Sequence, residues 1–176
     1  MNIVLIGMSS VGKSKSGKIV AEILNMPYFD EDDNLEDTNN MFIQVMRKTM
    51  TEEEFRRKKQ ENLIYMYSLD NCVISAGGRT GMIENLRPKF KEKTLVILLK
   101  PSLEYILNRY EKKKSDTSPA NLRRQLVFDT VENITKQYKI RYDLMMENAD
   151  IIIDTTNMKK HDVAHQISEL YDNLKK

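Results

Sequence analysis

Cysteine is nearly absent. Cys72 is the one thiol in 176 residues, so an internal disulfide is excluded and a reducing compartment fits. Its apolar surroundings read as those of a buried, inert thiol rather than a nucleophile. An excess of charge of one sign is also missing. The 28 basic and 26 acidic residues leave a net charge of +2, too balanced to point to nucleic acid or a membrane surface. No apolar run approaches membrane-spanning length. Met1 leads directly into an apolar segment without a basic signal region, so the expectation is a cytoplasmic protein with no membrane or nucleic-acid partner. Internal repeats and low-complexity tracts are lacking. Glycine is scarce and confined to two places, Gly7, Gly12 and Gly17, and Gly77, Gly78 and Gly81. Glycine marks strained or closely approached backbone, so this distribution points to two sites rather than many loops.

What is present is an ordinary core former. With 40% hydrophobic and 31% charged residues, the chain reads as a single globular domain over residues 1–176. Five apolar runs, Asn2–Ile6, Pro27–Phe29, Asn71–Ser75, Thr94–Leu99 and Asp150–Ile153, alternate with helical stretches. That alternation predicts an α/β fold: a five-stranded parallel sheet with helices on both faces and right-handed crossovers. Sheets of this kind bind ligands beyond the carboxyl ends of their strands. The residues just after each run should therefore converge.

After the first run stands Gly7-Met8-Ser9-Ser10-Val11-Gly12-Lys13-Ser14, which fits the G-x-x-x-x-G-K-[ST] phosphate loop between a strand and a helix. Its glycines let backbone N–H groups turn inward on an anion, and the helix N-terminus adds the positive end of a dipole. Lys13 can reach the β- and γ-phosphates of a nucleotide, and Ser14 can hold a magnesium ion. The second run opens onto Asp30-Glu31-Asp32-Asp33. One carboxylate there could orient water on the metal and another accept a proton from a hydroxyl. An acidic helix start is the competing explanation.

A helix is expected over Asn40–Lys48, and Thr51-Glu52-Glu53-Glu54 is a capping box opening a helix from Phe55 to about Asp70. Arg56 lies in its first turn, either on a solvated face or as an anion clamp. The third run ends in Gly77-Gly78, either a tight turn or a close approach to a ligand. The fourth ends at Lys100-Pro101 without an Asp, which leaves the Asp30 region to supply the second metal contact. A helix from Ser102 to about Glu111 carries Arg109. The polar stretch Lys112–Pro119 reads as a charged loop, suited in a P-loop kinase to a mobile lid over about 111–124. A long helix is expected from about Ala120 to Asn148, with Arg141 near its end. His161 and His165 stand at i, i+4 on the last helix. Without an acid or cysteine partner they read as exposed histidines rather than metal ligands.

Together the P-loop, Phe29-Asp30-Glu31-Asp32, Glu54-Phe55-Arg56-Arg57, Gly77-Gly78, Arg109, Ser118-Pro119, Arg141, Ala149-Asp150 and Asp154-Thr155 resemble the shikimate kinase family along essentially the whole chain. The resemblance implies a P-loop NTPase domain of the nucleoside-monophosphate-kinase-like fold and transfer of the γ-phosphoryl of ATP to the 3-hydroxyl of shikimate. ATP and Mg²⁺ are implied as cofactors. Gly7, Ser9, Ser10, Val11, Gly12, Lys13, Ser14 and Lys15 would bind phosphates, and Ser14 and Asp30 the metal. Arg109 and Thr156, in the turn after Asp154, would border the adenine. Asp32 would bind and deprotonate the acceptor; Arg56 and Arg141 would grip its carboxylate, beside Gly77 and Gly78. A substrate-binding helical region over about 31–62 and a monomer are expected. The chain departs from the family pattern at Arg79, where a third glycine is usual, at Ser118, where the lid has arginine, and at Lys59, where a glutamate supports the first substrate arginine. Lys15 also stands where threonine is usual. These departures keep open a related kinase for another hydroxy acid or polyol such as gluconate, or a catalytically impaired nucleotide-binding homologue.

Overall fold

The structure, a computed structural model, describes residues 1–78, 93–114 and 130–175. Five strands, β1 (Asn2–Ile6), β2 (Tyr28–Asp30), β3 (Val73–Ser75), β4 (Thr94–Leu99) and β5 (Ile151–Ile153), form one sheet in the order β2-β3-β1-β4-β5, every pair parallel. β1 and β4 are buried along their whole length. They are also the two longest unbroken apolar runs, as strands covered on both faces must be. Full burial of each Ile, Val or Leu in them contributes about 1.5–3 kcal/mol.

Seven helices are described: α1 (Lys13–Leu24), α2 (Glu31–Asn39), α3 (Ile43–Thr49), α4 (Glu52–Ser68), α5 (Leu103–Lys114), α6 (Val131–Asn148) and α7 (Lys160–Leu174). α1 packs on α7 and on β3, while α6 packs on α5 and β4. Tyr138 and Tyr142 fasten α6 to the carboxyl end of β4 by donating to the carbonyls of Pro101 (3.0 Å) and Leu99 (3.3 Å). The α2–α4 segment builds a small core of its own from Leu35, Met46 and Phe55, separate from the main one.

The expected strands all form, with ends shifted by a residue or two. Three helical expectations need correction. The helix expected over 40–48 starts only at Ile43, as α3, because Asn40 adopts a left-handed conformation (φ 47°) that closes the preceding α2. The long helix begins at Val131 rather than near Ala120: Thr130 is extended and its side chain accepts from the Asn133 N–H, an N-cap. Lys112–Lys114, expected in a loop, continue α5. Arg79, Gly81, Ser118 and Pro119, and most of the expected lid, lie outside the described residues. The capping box at Thr51 forms as expected, with reciprocal bonds to Glu54 of 2.8 and 3.2 Å.

Cys72 is buried just before β3, and burial, with the Asp70 carboxylate adding, pushes its thiol up to about 11. That is the inert thiol its surroundings suggested.

Candidate active site

The loop from β1 into α1 puts Ser10 in the left-handed region (φ 73°), along with Gly12 (φ 104°). Gly12 is the N-cap of α1 and offers no side chain, so the first N–H groups of the helix have no side-chain cap. Uncapped N–H groups at a helix start are donors suited to an anion. The Lys13 side chain is buried and curls back along the loop, its Nζ donating to the carbonyls of Gly7 (2.8 Å) and Met8 (2.9 Å). Ser10 Oγ is buried without a hydrogen-bond partner. An orphaned hydroxyl, a buried ammonium and a helix start around one loop fit a polyphosphate.

Ser14 Oγ donates to Asp30 Oδ2 at 2.7 Å. The phosphate loop and the acidic stretch are thereby joined across the sheet. Asp30 ends β2 and caps α2, its Oδ1 accepting from the Asp32 N–H at 3.1 Å, so the acidic helix start that the sequence allowed does form. The Tyr28 hydroxyl donates to Asp30 Oδ2 at 3.2 Å, and burial holds the phenol well above its usual range, so it remains a donor. A hydroxyl and a carboxylate at this spacing are hard oxygen ligands of the kind Mg²⁺ takes alongside phosphate oxygens. The fit to this cation is good. The part Tyr28 plays in holding Asp30 was not legible in the sequence, where it reads as a strand aromatic.

The second glycine cluster meets the first. A Cβ on Gly78 would lie 2.6 Å from Ser9 Oγ and 3.0 Å from the Ser9 amide nitrogen, so only glycine lets the two loops touch. A Cβ on Gly77 would stand 3.2 Å from each of Asp32 Oδ1, Glu31 Oε2 and Lys59 Nζ. The two sites suggested by glycine placement are one site. Asp32 sits at this junction with its side chain half exposed. The surrounding protein, then the Glu31 carboxylate, raise its carboxyl above the usual range, while the ammonium groups of Lys59 and Lys13 pull it back.

The arginines are less convergent. Arg56 is 80% exposed and pairs with Glu52 one turn back at 3.7 Å. Its guanidinium is not brought to Lys13. Lys59, three residues on and on the same helical face, points into the junction. Arg141 is half-buried and donates from Nε to Gln137 Oε1 at 3.0 Å. Its neighbour Tyr142 lies against the Met8 backbone. Thr156 binds the start of α5 to the turn after β5: its Oγ1 accepts from the Ser102 N–H (2.9 Å) and donates to Asp154 (2.5 Å). Arg109, two turns along α5, keeps its Nε buried without a hydrogen-bond partner. Among the described residues no His, Cys, Asp or Glu cluster forms a metal site of its own, and His161 and His165 are exposed.

A family model described as shikimate kinase matches residues 9–172. The chain belongs to the shikimate kinase family. A shikimate kinase of Histophilus somni is 30% identical over 99% of this chain and 97% of its own length. One of Clostridium botulinum (strain ATCC 19397 / Type A) is 31% identical over 90% of each. Among solved structures, shikimate kinase from Acinetobacter baumannii in complex with shikimate superimposes with a TM-score of 0.80 at 24% identity, covering 99% of this chain and 94% of that one. At that identity the superposition shows the P-loop kinase fold alone. Family membership makes the chain an ATP-dependent kinase that phosphorylates a hydroxyl group.

Proposed function

We propose that the protein transfers the γ-phosphoryl group of ATP to the 3-hydroxyl of shikimate, a step of aromatic amino-acid biosynthesis, and that the site described above performs it. The observation that carries this reading is the contact of the two glycine loops at Ser9 and Gly78, with Asp32 at their junction. Donors for phosphate and a carboxylate for a hydroxyl thus face one another.

The chemistry divides among these residues. The α1 N–H groups, Ser10 and Lys13 bind and orient phosphate oxygens, and Lys13 offsets the charge that spreads over them during transfer. Ser14 and Asp30 would hold Mg²⁺, which supplies neutralisation of phosphate charge when bound. Asp32 accepts the proton of the attacking hydroxyl; its raised carboxyl makes it a better base than an ordinary aspartate. Arg141 and, after leaving Glu52, Arg56 receive the acceptor carboxylate, for which guanidinium forks are suited. Arg109 and Thr156 border the base. Within a single domain, residues 31–62 supply the acceptor-binding helices. We read the protein as a cytoplasmic monomer, and its balanced charge supports the reading that it binds neither nucleic acid nor membranes.

A coupled ATPase assay with and without shikimate tests the reading. Shikimate-dependent turnover is expected, and Asp32→Asn should lower it by about a thousandfold. Turnover that needs a different hydroxy acid or polyol, or nucleotide binding without turnover, would overturn it.

A further inference from the structure

We infer that Lys59 and Glu31 form a positioning pair that sets the acceptor half of the site, fixing Asp32 against the Gly77 loop. The inference rests on the functional reading above. It concerns a lysine standing where the family pattern leads one to expect an acid.

Glu31 is fully buried although it follows Asp30 and precedes Asp32. Both its oxygens are engaged: Oε2 accepts from the Gly77 N–H at 2.5 Å, and Oε1 lies 3.0 Å from Lys59 Nζ. Lys59 is only 16% exposed, and its Nζ also lies 4.0 Å from Asp32 Oδ1. Asn62, one turn further along α4, donates to the Glu31 carbonyl at 3.0 Å. One ion pair therefore touches the start of α2, the middle of α4 and the loop after β3. These are the three elements whose relative placement decides where Asp32 stands with respect to Gly77.

A buried carboxylate next to two others is unfavourable unless cationic charge compensates it, and Lys59 brings such a charge to 3.0 Å. The pair is cheaper to keep whole than to halve. Losing Lys59 removes the ammonium 3.0 Å from Glu31 Oε1 and 4.0 Å from Asp32 Oδ1, which loosens the hold on Glu31, and through it on Gly77, and on Asp32. Both effects disturb the acceptor side. The phosphate loop keeps its own ties from Lys13 to Gly7 and Met8 and from Ser14 to Asp30. The pair should thus act on acceptor binding and leave nucleotide binding alone.

The test is steady-state kinetics on the full chain with ATP and shikimate varied separately, beside direct binding of a fluorescent ATP analogue. Lys59→Met should raise the shikimate KM on the order of tenfold, with the ATP KM and analogue affinity within about twofold of the parent. Lys59→Arg, which keeps the cation, should restore most of the loss. If Lys59→Met does not fold, Glu31→Gln reads the pair from the other side: its amide oxygen can still accept from Gly77, while its NH2 group, a donor, replaces the oxygen that faces Lys59 and ends the ion pair. The same acceptor-side loss is expected. A parent-like shikimate KM in the variant that folds, or an equal loss toward ATP, overturns the inference while leaving the functional reading intact. A parent protein with no shikimate-dependent turnover overturns the functional reading, and the inference with it.

Discussion

The two halves of the site are built differently. At the nucleotide end, Lys13 and Ser14 are held by bonds of 2.7–2.9 Å to backbone carbonyls and to a carboxylate across the sheet. These groups sit in the loop after the fully buried β1, at the end of β2 and at the start of α1. At the acceptor end, Arg56 pairs with Glu52 one turn away on its own helix, and one of Arg141's bonds goes to Gln137, likewise one turn away. Such i, i+4 contacts are worth a few tenths of a kcal/mol and give way readily. The nucleotide end is preorganised by the sheet. The acceptor end is anchored at Asp32, Glu31 and Lys59, and its Arg56 is held only by a solvated pair that a carboxylate can replace.

Substitutions should separate the two. Lys13→Met strikes the preorganised end and should lower kcat on the order of a thousandfold; a loss under tenfold in single-turnover phosphoryl transfer would mean that the buried ammonium is structural. Arg141→Ala strikes the recruited end. We expect the shikimate KM to rise about tenfold to a hundredfold, with nucleotide affinity nearly unchanged by equilibrium titration. Equal losses toward both ligands would erase the distinction between the halves. Ser14→Ala should weaken Mn²⁺ affinity of the nucleotide complex by about tenfold, read by electron paramagnetic resonance; unaltered affinity would remove Ser14 from the metal. Glu52→Ala is the mildest change. It releases Arg56 from a fully solvated pair and should shift the shikimate KM by no more than about twofold. A larger rise would show that Glu52 holds Arg56 in its working position.

Much of this arrangement was legible in the chain. The phosphate loop, the two longest strands and the capping box at Thr51 are local patterns, each fixed by residues within a few positions of one another. The acidic stretch after Phe29 was legible as a metal- or proton-handling group or as an acidic helix start, and the helix start is realised, with Asp30 as its cap. Less legible were the boundaries at Asn40 and Thr130, where a left-handed residue and a side-chain cap stop helices that periodicity alone would have continued. The partners of Arg56 and Lys59 were hidden. Which way a helical side chain leans depends on what lies opposite it, and the carboxylate opposite Lys59 comes from a distant part of the chain.

By itself the amino-acid sequence determined the parallel α/β architecture, the phosphate-binding loop and the family, because apolar periodicity and a glycine-lysine-serine loop act over short range. Only the tertiary structure decided that the two glycine clusters meet at one junction, that Lys59 pairs with a buried Glu31, and that Arg56 faces solvent. Those outcomes depend on burial and on charges from separate elements meeting at a few ångströms, and the linear order of residues does not encode such distances directly.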